Sequence, residues 1–117
     1  MTSSISATRT QLTVRRHGRQ LWRVTAFDSR ATVADLEVVR LNRVEWRVSD
    51  LALATGDPLR LMGYIERLAR DEFEVLWLRP PLGWSYVSSF GSALAALADR
   101  SRFDGVIDAR RAARTSN

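Results

Sequence analysis

The stretch RVEWRVSDLALATGDPLRLMGYIERLARDEFEVLWLRPPLGWSYVSSFGSALAALADRS, residues 43–101, changes its hydrophobic period once, and that change decides the fold. Before about residue 90 apolar side chains recur at every second position. Beyond it they recur at every third or fourth. Val44, Trp46 and Val48 alternate with Arg43, Glu45, Arg47 and Ser49, the pattern of a half-buried strand. The turn residues Thr55-Gly56-Asp57-Pro58 interrupt it. Residues 59–68 resume the alternation, with Leu61 and Ile65 on one face and Arg60, Met62, Tyr64 and Glu66 on the other. Gly63 sits inside this run, where glycine marks a bulge or a close approach by a neighbour. After a turn at residues 69–71, Phe73, Val75 and Trp77 alternate with Glu72, Glu74, Leu76 and Leu78 until Pro80-Pro81-Leu82-Gly83 stops the strand. Residues 84–90 form the last strand, with Trp84, Tyr86 and Ser88 opposed to Ser85, Val87 and Ser89. The helix follows: Phe90, Leu94, Leu97 and Ser101 fall at helical spacing, and Ser89 or Ser92 is placed to cap it. Alanines at 93, 95, 96 and 98 give it high propensity and a slim profile for lying on a sheet.

Toward the N-terminus, residues 11–16 and 20–27 flank His17-Gly18-Arg19 and read as a hairpin, with Trp22, Val24 and Ala26 alternating with Arg23 and Thr25. Residues 28–42 suit either a helix capped at Asp28 or Ser29 or a strand. Their valine content favours a strand over about residues 34–41. The expected architecture is α+β: an antiparallel meander of five to seven strands, bent or partly rolled into a barrel, with one C-terminal helix packed on it. A tail is expected at residues 1–10, one domain at 11–104, and a basic tail at 105–117.

Trp46-Arg47-Val48, Gly63-Tyr64-Ile65-Glu66 and the helix from Ser92 to Leu97 resemble segments of small actinobacterial and actinophage proteins with a sheet-plus-C-terminal-helix domain. That resemblance implies the fold and no activity. The order of elements also resembles a pleckstrin-homology-like barrel. The last strands and helix loosely resemble double-stranded-RNA-binding and integrase N-terminal domains.

The chain has 117 residues, room for one core. It is 45% hydrophobic and 26% charged, ordinary globular values. It has no cysteine and one histidine, His17, which leaves little for disulfides, thiolate metal sites or histidine-assisted nucleophiles. No cofactor or metal site is expected. The first 20 residues lack the apolar run of a signal peptide, so a cytoplasmic location is expected, and no membrane span.

All 18 basic side chains are arginine, a usage that a GC-rich genome explains. Their placement is a separate matter. Residues 1–49 carry nine arginines against four acids, residues 50–99 four against seven, and residues 100–117 five against two. Arg15, Arg16, Arg19 and Arg23 around the first hairpin, and Arg110, Arg111 and Arg114 in the tail, are the candidates for contacting nucleic-acid phosphates. The competing reading of the first group is a solvated strand face that protects a sheet edge. Glu66, Glu72 and Glu74 are the carboxylates available for catalysis, but they read more simply as solvent-side charges, so a non-enzymatic domain is expected. Both faces of the last strands carry apolar residues. Met62, Tyr64, Leu76, Leu78 and Val87 are therefore the candidate surface for a protein partner or a second copy of the chain.

Overall fold

In a computed structural model, which describes residues 7–16, 18–27 and 32–99, the described residues form one seven-stranded antiparallel sheet and one helix. The strands are β1 (Ala7–Arg16), β2 (Arg19–Phe27), β3 (Thr32–Arg40), β4 (Glu45–Asp50), β5 (Leu61–Ala69), β6 (Glu72–Trp77) and β7 (Gly83–Val87), followed by α1 (Phe90–Leu97). Spatial order equals chain order, and β1 and β7 are the two edges. The sheet bends around the helix without closing into a barrel.

Local chemistry sets each reversal. Gly18, at φ +77°, completes the two-residue link between the register partners Arg16 and Arg19. Between β3 and β4 the Asn42 side chain accepts from the Val44 amide at 2.9 Å and donates to Glu45 Oε1 at 2.6 Å. The longer link from β4 to β5 uses Asp50 and Asp57, whose carboxylates accept from the amides two residues ahead. Arg79, beyond β6, fastens this link to the body of the domain. Its Nε donates to the Leu59 carbonyl and its Nη2 to Asp50 Oδ2, both at 2.7 Å, and both side chains are largely buried.

One face of the sheet, here the inner face, is covered by α1. Val24, Leu36, Val38, Val48, Ile65, Phe73 and Val75 meet Ala93, Leu94 and Leu97 in a continuous core. Phe90, the first helical residue, anchors it, with ring centroids 5.8 Å from Trp22, 5.0 Å from Trp46 and 6.1 Å from Phe73. Ser89 caps the helix by accepting from the Ser92 amide at 3.0 Å. The helix also reaches β1, where a Cβ on Gly91 would lie 3.0 Å from Thr10 Oγ1. Gly63 is required by contact: a Cβ there would lie 2.0 Å from the Leu76 carbonyl oxygen and 2.9 Å from Leu97 Cδ2.

Several expectations are corrected. The strand reading of residues 28–42 holds for Thr32–Arg40, while residues 28–31 lie outside the described residues. β1 begins at Ala7, inside the stretch read as a tail, because Ala7 to Thr10 pair with Phe27 to Val24. Met62 points into the core, at 2% exposure, and not outward. The reason is a bulge: Val48 pairs with Gly63 but Ser49 with Leu61, so Met62 is an extra residue that breaks strict alternation. Val87 also lies inward, opposite Phe73 and packed against the core, because the register of β7 places Trp84 and Tyr86 outside.

Candidate interaction face on the outer side of the sheet

Two adjoining rows cross the outer face from β4 to β7. In one, Arg47, Tyr64, Leu76 and Trp84 are successive register partners, and in the other Glu45, Glu66, Glu74 and Tyr86. Neighbouring strands lie about 4.8 Å apart, so each row is a line of side chains in lateral contact range. From Tyr64 to Trp84 the first row is aromatic and apolar, and from Glu45 to Glu74 the second is acidic. Trp84 is 66% exposed, Tyr86 57% and Leu76 38%, with Leu78 similarly exposed just beyond β6, while Tyr64 is half-buried between Arg47 and Leu76.

Like charges directly opposite on a sheet repel. Glu66 stands between Glu45 and Glu74, and no described cation is ion-paired with any of the three. Glu45 is hydrogen-bonded to Asn42. The Glu74 carboxylate raises the pKa of the Tyr86 hydroxyl above its ordinary value, first by hydrogen bonding and then by its charge, with burial and the charge of Glu72 adding to it. A shallow depression of about 720 Å³ opens beside Tyr86, lined by Asp71, Glu72, Val87, Ser88 and Ser92 at the start of α1.

The arginines of the first hairpin are divided. Arg19 and Arg23 lie on the outer face, where Arg19 is ion-paired with Glu37 and Arg23 with Asp35 at 2.9 Å, both acids on β3. The bond to Asp35 and its charge raise the Arg23 pKa further, against a small opposing effect of burial. Arg15 pairs in register with Gln20, on the side of the sheet that carries Trp22, so it does not share a face with Arg19. Arg16 is the register partner of Arg19. Arg9, opposite Thr25, is exposed on β1. His17, Arg110, Arg111, Arg114 and the C-terminal tail lie outside the described residues.

Of the carboxylates considered for catalysis, Glu66 and Glu74 face each other on the exposed sheet surface, and Glu72 follows on β6 at the rim of the depression. Among the described residues no group of three or more His, Cys, Asp or Glu side chains is arranged to hold a metal ion, and no helix is long and apolar enough to cross a membrane.

Of the expected partner surface, the outer face keeps Tyr64 and Leu76, with Leu78 exposed nearby, and loses Met62 and Val87 to the core. Trp84 and Tyr86, absent from that set, are its most exposed members. The available signal was the spacing of the two rings on one face of β7, with Ser85 and Val87 on the other. No protein-family model, curated protein or solved structure matches the chain.

Proposed function

We propose that this is a non-enzymatic protein-binding domain whose docking surface is the outer face of β5 to β7. The observation that carries this reading is the line Tyr64–Leu76–Trp84, in register across three strands and continued by Tyr86 and Leu78. Tyrosine and tryptophan supply large contact area at low conformational cost, which is why they anchor interfaces. Scattered apolar residues on a surface need no explanation; a contiguous aromatic stripe beside a row of carboxylates does.

The test is a photo-reactive side chain placed in the full chain at Trp84 in its native cell, and separately at Val33, exposed on β3. The expected result is one discrete protein adduct at position 84 that a Leu76→Glu substitution abolishes. Adducts no different between the two positions would sink the reading.

A second reading, contact with nucleic-acid phosphates, is supported by Arg9 and Arg15, both exposed on β1 and outside the ion pairs that occupy Arg19 and Arg23. It predicts binding of mixed-sequence DNA or RNA at low salt that weakens steeply as salt rises. An Arg9→Ala, Arg15→Ala double variant that binds as tightly as the parent counts against it.

A further inference from the structure

The two edges of the sheet are built differently. β1 is a long edge strand carrying Arg9, Arg15 and Arg16, and its pairing shifts between Leu12 and Val14, so one extra residue disturbs its ladder. Charge and a bulge are two of the devices by which edge strands resist pairing with other chains. β7 has neither. Its sequence GWSYV contains no charged residue and no proline, and it pairs with β6 without a shift in register. Among the described residues no backbone hydrogen bond outside the ladder with β6 involves residues 83–87.

We propose that β7 is a self-association edge: two copies of the chain pair antiparallel through β7, centred on Ser85, to form one continuous sheet across the dimer. The proposal rests on the protein-binding reading above and names the partner. Neutrality is what selects a second copy. In a two-fold pairing each residue meets its own strand again, so any charge near the axis confronts its image; β1 would bring arginines together, and β7 brings none.

The register has a further consequence on the outer face. Centred on Ser85, Trp84 of one copy lies opposite Tyr86 of the other, twice, as cross-strand aromatic pairs. Each acidic row, Glu45–Glu66–Glu74–Tyr86, then runs on into the second copy's row Trp84–Leu76–Tyr64–Arg47. The carboxylates of one copy stay separated from those of the other by the aromatic rings. Main-chain hydrogen bonds supply affinity, and the ring pairs fix the register.

Because the chain has no cysteine, single-cysteine variants give a clean test. Under mild oxidation of the full chain, Ser85→Cys is expected to form a covalent dimer at least tenfold faster than Val33→Cys, which is exposed on β3 away from the edge. Light scattering over a concentration series should show the parent dimerising, and Trp84→Lys should raise the dissociation constant at least tenfold. A parent that stays monomeric throughout, or equal cross-linking at positions 85 and 33, overturns the proposal. Should Trp84→Lys fail to fold by circular dichroism, the cysteine comparison still decides. A monomer that nevertheless gives a discrete adduct with another protein at position 84 defeats self-association alone and leaves the protein-binding reading standing.

Discussion

Gly63 and Tyr86 show how single positions are governed by what lies across the strand. At Gly63 the constraint is space, since the backbone of β6 and the Leu97 side chain occupy the volume of a Cβ. Gly63→Ala must push apart two paired strands or the helix, and should cost about 1–3 kcal/mol, the range for overpacking, measured by urea denaturation. At Tyr86 the constraint is the neighbouring Glu74 carboxylate. Its hydroxyl holds its proton more tightly in the folded chain than in the unfolded one, first because it is hydrogen-bonded to the Glu74 carboxylate and then because a phenolate would form beside the charges of Glu74 and Glu72. This stabilisation is complete below the ordinary tyrosine pKa and is lost as pH rises through the raised value. Glu74→Gln should move the Tyr86 titration back toward its ordinary value, read by ultraviolet difference absorbance against a Tyr86→Phe control. An unchanged curve would show that Glu74 is not the cause.

At the level of elements, α1 depends on its start. Ser89 satisfies the Ser92 amide, and Phe90 immediately joins the aromatic cluster with Trp22, Trp46 and Phe73. Ser89→Ala should cost about 1 kcal/mol through the lost cap. Phe90→Ala should cost about 3 kcal/mol or more, because it opens a cavity where β2, β4 and β6 converge on the helix. Thermal melts followed by circular dichroism separate the two. An eight-residue helix is too short to persist by propensity, so its stability is that of its packing. The hairpins are governed locally instead, by Gly18 and by the Asn42 side chain, and the first of them was legible from the residue types around Gly18.

For the whole molecule, the ion pair of Arg79 with Asp50 ties the link between β4 and β5 to the segment between β6 and β7, joining parts 29 residues apart. Removing one partner leaves the other charge largely buried. Arg79→Leu should therefore lower stability by about 3 kcal/mol or more, read as a lower denaturation midpoint. The charge partition of the sequence also takes on a shape. The arginine-rich strands form one edge of the sheet and the acidic strands the other half, but Asp35 and Glu37 on β3 draw Arg19 and Arg23 into pairs. The basic end is thus partly neutralised within the domain, and the outer face is left with its aromatic row as the most distinctive feature.

The amino-acid sequence by itself determined the succession of short strands, the closing helix, a serine at 89 or 92 to cap it, and a bulge or close approach at Gly63. Each depends on period, propensity or a turn residue acting over a few neighbours. Only the tertiary structure decided which face of each strand is inside. Alternation defines two faces but not which one meets the helix, and a single bulge at Met62 breaks the alternation at the start of β5. The bulge turned Met62 into the core, and the register of β7 turned Val87 inward and left Trp84 and Tyr86 outside. Ion pairing was equally invisible in the chain, because Asp35 meets Arg23 only once β2 and β3 are in register.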